Sequence, residues 1–127
     1  MRRLINSVHL AAWISAAAAS QACADGDPVK GERVFLKCKA CHEIATDKNK
    51  VGPTLQGVLG RKAGSVGGFK YSEAMLNSQV VWDTETIADY VEKPKEFIAG
   101  NKMVFAGLKK ADEIEDLIAF IAANCCS

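Results

Sequence analysis

Cys38-Lys39-Ala40-Cys41-His42 is the part of this chain whose residue types and spacing can do chemistry. On a turn of helix, cysteines three apart point their sulfurs the same way, and here a histidine follows at once. Thiols so placed can add to the two vinyl groups of one haem while the imidazole meets the iron. A bare Cys-x-x-Cys also suits a redox dithiol or half of a zinc site, but neither needs the trailing histidine. His9 falls in a segment that reads as a removable leader, which leaves His42 as the only histidine of the remaining chain. A closed zinc site wants four ligands. Cys38, Cys41 and His42 supply three, and only Cys125 and Cys126 remain, at the far end. A thioredoxin-type dithiol needs a βαβ setting, and no strand-like alternation precedes Cys38. Covalent attachment of one haem c is the expected chemistry.

A haem iron held by His42 has a second axial position, and no histidine is left for it. The candidates outside the leader are Met75 and Met103. Met75 lies within a short helical pattern, where methionine is commonly core filler. Met103 lies between Gly100 and Gly107, in a stretch able to lay backbone across a haem face, and it is the preferred ligand. Met75 and an open position stay as alternatives. A thioether is a soft, neutral ligand that favours ferrous iron and so raises the potential. With both axial positions filled by protein, electron transfer is the reaction left to the iron.

The elements that must position these groups are helical. Asp27-Pro28 reads as an N-cap and first helical residue, opening a helix towards the cysteines with Val34 and Phe35 on its apolar side. From Glu43 to Gly68 the glycines argue against regular structure. Ser72 can cap a short helix through Asn77, and Asp83 another that ends before Pro94. A last helix is expected from about Lys110 to Ala123, where Ile114, Leu117, Ile118 and Ile121 form one apolar stripe. The Val34/Phe35 face is its natural partner. No segment sustains a period of two, so sheet is expected to be negligible.

Met1-Arg2-Arg3, the apolar run Val8–Ala19 and Ala22-Cys23-Ala24 follow the order of a secretory leader. Residues 1–24 are expected to be cleaved as a signal peptide, leaving 25–127 as one domain. The apolar run is shorter than the roughly 20 residues that span a bilayer, so no stable membrane insertion is expected afterwards. Export to the periplasm suits the attachment chemistry, which needs reduced thiols to meet haem across the membrane. Cleavage removes two basic residues and no acid from 16 basic and 15 acidic, leaving a net charge of −1. That argues against nucleic acid as a partner. Lys37, Lys39, Lys95, Lys102, Lys109 and Lys110 flank the haem motif and the Met103 loop. Asp112, Glu113, Glu115 and Asp116 gather elsewhere in the sequence, which suggests a one-sided ring of lysines.

With CKACH, GPTLQGVLGRKAG, FKYSEAM, VVW and NKMVFAGLKK in order, the chain resembles class I cytochromes c. It looks most like the mitochondrial-like bacterial cytochromes of the c2 and c550 types. The resemblance implies an all-α, single-domain class I cytochrome c fold, its N- and C-terminal helices packed together around one covalently bound haem. It further implies that the Pro53 carbonyl accepts a hydrogen bond from His42. It implies that Arg61, Tyr71 and Trp82 enclose the haem propionates, that Tyr90 is the buried tyrosine near the Met103 sulfur, and that Phe105 borders the exposed haem edge. Gly31 and Phe35 should pack on the last helix around Leu117 and Phe120.

The function it implies is that of a monomeric, periplasmic one-electron carrier and not an enzyme. Docking would be transient, to acidic faces of redox complexes: a cytochrome bc1-type quinol–cytochrome c reductase as donor, and an oxidase, reaction centre or periplasmic reductase as acceptor. Several residues depart from the pattern. Asn101 replaces a propionate-binding threonine, Ala99 a loop proline, Met75 an asparagine and Glu96 a lysine, and Cys125-Cys126 has no family role. Two other classes compete: an enzyme or ligand sensor in which Met103 leaves the iron, and a metal-binding structural module.

Overall fold

Asp27 starts the first helix of the computed structural model, which describes residues 26–127; the expected leader lies outside them. The Asp27 carboxylate accepts hydrogen bonds from the N–H groups of Val29 (2.8 Å) and Lys30 (3.4 Å), and Pro28 opens helix α1, Pro28–Lys39. The Asp27 N–H donates to the Asp116 carboxylate at 2.7 Å, clasping the start of α1 to the last helix, α5, Ala111–Asn124. Between them lie α2, Glu73–Asn77, α3, Thr84–Glu92, and the single turn α4, Pro94–Phe97. There is no strand among the described residues, only an antiparallel bridge between Lys62 and Val81. The helices agree with the sequence-based expectation to within a residue, except α4. One turn begun by a proline is too short to leave a periodic signal.

Helices α1 and α5 form the main contact. Gly31, Val34 and Phe35 face Leu117, Ile118 and Ile121, all buried, and the rings of Phe35 and Phe120 lie 5.0 Å apart. The crossing depends on Gly31. A β-carbon there would overlap the Asp116 carbonyl and come within 2.7 Å of the Phe120 β-carbon, so only glycine permits this approach. Leu117 is 1% exposed, and burying such a side chain contributes about 1.5–3 kcal/mol.

The irregular stretch 43–72 is held by hydrogen bonds as well as by the burial of Ile44, Val58 and Ala63. Leu55 N–H donates to Glu43 O (2.7 Å), and Gly57 N–H to Cys125 O (2.7 Å) beyond the end of α5. Cys125 is buried and is disulfide-bonded to Cys126 within the chain. Around the Lys62–Val81 bridge, Trp82 N–H donates to Arg61 O and Ala63 N–H to Val80 O, each at 2.8 Å, so Arg61 and Trp82 are fastened side by side. Helix α3 follows, closed by a reciprocal cap in which Thr86 N–H donates to the Asp83 carboxylate and Asp83 N–H to the Thr86 hydroxyl, both at 2.8 Å. It buries Ile87 and Tyr90.

Candidate functional site

The last turn of α1 delivers the chemistry. Cys38 lies within the helix, and its carbonyl accepts from both Cys41 N–H (3.0 Å) and His42 N–H (2.9 Å). This tight exit keeps both thiols and the imidazole on one wall of an apolar slot with an empty volume of roughly 980 Å³, open mouth included. Every site residue expected from the sequence borders that slot: Cys38, Cys41, His42, Pro53, Arg61, Tyr71, Trp82, Tyr90, Met103 and Phe105. Met75 borders it too. A second lobe, of roughly 510 Å³, shares Cys41, His42, Pro53, Tyr71, Met75 and Met103 with the first.

The His42 ring is fixed by its neighbours. Nδ1 lies 2.7 Å from the Pro53 carbonyl, which can only accept, so Nδ1 carries the proton and Nε2 keeps its lone pair. Burial lowers the imidazole pKa against the opposing effect of that hydrogen bond, and Arg61 and Lys50 lower it further. The ring is therefore held neutral, the form in which it ligates a metal. Behind it, a β-carbon on Gly52 would fall 2.7 Å from both ring nitrogens, so a larger residue would displace the ring. Burial pushes the Cys38 thiol up to about 11, with Cys41 adding to the rise and Lys37 opposing it. A thiol kept protonated is a poor redox nucleophile, which weakens the dithiol alternative. The zinc alternative weakens as well, because the two cysteines that could supply its fourth ligand are bonded to each other.

Further lining residues come from α3 and the loop after α4. Trp82 and Tyr90 pack with ring centres 5.1 Å apart and their planes tilted by 48°. Met103 lies in irregular backbone, and its N–H donates to Asn101 Oδ1 at 2.9 Å. The slot's charged lining residues are Lys37 and Arg61, with no carboxylate among them. Arg61 is anchored by the carbonyls of Gln56 (3.0 Å) and Thr54 (2.9 Å). The Tyr71 hydroxyl accepts from Val66 N–H (3.1 Å) and keeps its proton for a further acceptor. Two thiols, one neutral imidazole, an apolar slot and a cationic, proton-donating rim fit a haem with two carboxylate arms.

Some of the site escaped the sequence. Gly52 is needed for the His42 ring, and only its place before Pro53 hinted at that. Thr54 is 5% exposed, and its hydroxyl bonds the Thr46 carbonyl. Asn101, 7% exposed, has four partners: Pro94 O, Ile98 O, Met103 N–H and the Tyr90 hydroxyl. Both its amide protons are engaged inside the protein. Of the acids that stand apart in sequence, Glu113 comes within 3.6 Å of Lys37, so the acidic start of α5 is not remote from the haem motif.

The sequence model of the cytochrome c family matches residues 28–124. A cytochrome c2 of Rhodomicrobium vannielii is 51% identical over 106 residues, 83% of this chain and 85% of that one. A cytochrome c type-1 of Ascaris suum is 51% identical over 102 residues, 80% of this chain and 91% of that one. Among solved structures, cytochrome cH from Methylobacterium extorquens superposes with a TM-score of 0.73 at 40% identity, covering 78% of this chain and all of the other.

Proposed function

This chain belongs to the class I cytochromes c, and we propose that it is a periplasmic one-electron carrier whose iron is held between His42 and Met103. It takes one covalently attached haem c, and members of the family are haem-based electron carriers. In this reading Cys38 and Cys41 form the thioethers, each S–H adding across one vinyl group so that no oxidant is required. Pro53 orients His42. Arg61, Tyr71 and Trp82 receive the propionates, while Tyr90 and Phe105 close the Met103 side. The bound haem supplies a ferric/ferrous couple. With haem bound, His42 and Met103 would hold the iron, the apolar lining would exclude water, and Cys38 and Phe105 would border the part through which electrons exchange.

The observation that carries the reading is the convergence of two thiols, a neutral imidazole with Nδ1 already bonded, and Met103 on one apolar slot. The test is spectroscopic. The native ferric protein should show the weak far-red band of a sulfur–iron bond and, once reduced, should not bind carbon monoxide. Met103→Ala should lose that band, admit carbon monoxide and lower the midpoint potential, whereas Met75→Ala should affect mainly packing. An unchanged midpoint in Met103→Ala would reverse the ligand assignment. Export after loss of residues 1–24 is part of the proposal, as is transient docking through exposed lysines to acidic faces. A cytochrome bc1-type reductase as donor, and an oxidase, reaction centre or periplasmic reductase as acceptor, suit such a carrier.

A further inference from the structure

Asn101 connects Met103, the proposed sixth ligand, to the Tyr90 hydroxyl. It is buried at the head of the Met103 loop, and its amide orientation is settled by its partners. Pro94 O at 2.7 Å and Ile98 O at 2.9 Å can only accept, so they must face the amide nitrogen. The Met103 N–H at 2.9 Å can only donate, so it must face Oδ1. The Tyr90 hydroxyl, 3.2 Å from the same Oδ1, must then be a donor as well. Tyr90 has a single hydroxyl proton, and Asn101 takes it. A hydroxyl so committed cannot also donate to a methionine sulfur.

We propose that Asn101 is the positioning residue for Met103, and that Tyr90 acts on the ligand through Asn101 and not by bonding its sulfur. The proposal rests on the His42/Met103 reading. Asn101 links four chain positions between α3 and the ligand loop: Tyr90, Pro94, Ile98 and Met103. This restraint stands beside Ala99, where the family resemblance would place a loop proline. The network also differs from the arrangement implied by resemblance, in which position 101 holds a propionate. Here its donors are turned into the protein.

The experiment compares the native holoprotein with Tyr90→Phe, Asn101→Thr and the double variant. Each is poised against a mediator of fixed potential to read the ferric/ferrous ratio, and the rate of imidazole entry into the ferric protein is followed. Tyr90→Phe alone should change the ratio less than about twofold, because no bond to sulfur is lost. In the Asn101→Thr background the hydroxyl is released towards the slot, and removing it should shift the ratio about fivefold, the worth of one ordinary hydrogen bond. Asn101→Thr should speed imidazole entry and hydrogen exchange at the Met103 N–H. A fivefold shift from Tyr90→Phe in the native background, with Met103 N–H exchange unaltered in Asn101→Thr, would overturn the proposal. Absence of the sulfur–iron band in the native protein would instead sink the ligand reading, while Met103 N–H exchange still decides the Asn101 bond.

Discussion

His42 shows how much one residue depends on its neighbours. Burial disfavours its charged form and Pro53 fixes its tautomer, so a side chain that elsewhere switches charge near neutrality is kept as a neutral ligand. The space for its ring is made by an absence, the missing side chain of Gly52. Gly52→Ala should push the ring off its axis and destabilise the holoprotein by about 1–3 kcal/mol, the usual range for overpacking. Guanidinium titration followed at the haem absorption would measure it, and a native midpoint with a native spectrum would show that the ring has room to move. Cys38, Cys41 and His42 were legible in the sequence because their chemistry depends on spacing along the chain. Gly52 and Asn101 were not, because the His42 ring and the Tyr90 hydroxyl that they meet belong to other segments.

At the level of elements, two local devices can be tested. The cap of α3 is the first. Hydrogen bonds from Thr86 and Glu85 hold the exposed Asp83 carboxylate below its ordinary pKa. Its folded pKa thus lies under its unfolded one, so its stabilising effect is present above the unfolded value and is lost as pH falls through the folded value. Asp83→Asn removes the charge but keeps a capping oxygen. It should lower the unfolding midpoint at pH 7, and the gap to the native protein should close as the solution is acidified below the usual carboxylate range. A gap that stays constant with pH would mean that the charge plays no part. The second device is the α1–α5 crossing. Gly31→Val should force the helices apart and cost about 2–3 kcal/mol in denaturant unfolding, because the obstructing group is the Asp116 backbone. Loss of less than about 0.5 kcal/mol would show that the crossing relaxes easily. Both devices could be anticipated in part: the caps read directly from Asp and Ser before helical runs, and the Gly31 contact followed from family resemblance alone.

Across the whole molecule, charge placement is where the linear reading needed correction. Six lysines near the haem motif and the Met103 loop are exposed, but they are not equivalent. Lys37 is paired with Glu113, and Lys102 reaches the Lys70 carbonyl and lies 5.1 Å above the Phe69 ring. The Lys37–Glu113 pair is a surface pair, worth at most about 1 kcal/mol to stability. Its larger effect falls on docking, because it partly neutralises the positive rim near Cys38. Glu113→Gln should therefore speed electron transfer to an acidic partner roughly twofold at low ionic strength, with the gain disappearing as salt screens it. A gain that persists in concentrated salt would point to something other than steering.

The sequence by itself determined the cofactor, the helices and the identity of the residues around the slot. Each of these rests on local facts: the spacing of two thiols and a histidine, capping residues before apolar stripes, and motifs in order. Tertiary structure decided the rest. It set the tautomer of His42, the need for Gly52, the pairing of Lys37 with Glu113 and the direction of the Tyr90 proton. Those depend on which donor meets which acceptor after separate segments have packed, and Asn101 meets the Tyr90 hydroxyl only when the Met103 loop closes over α3.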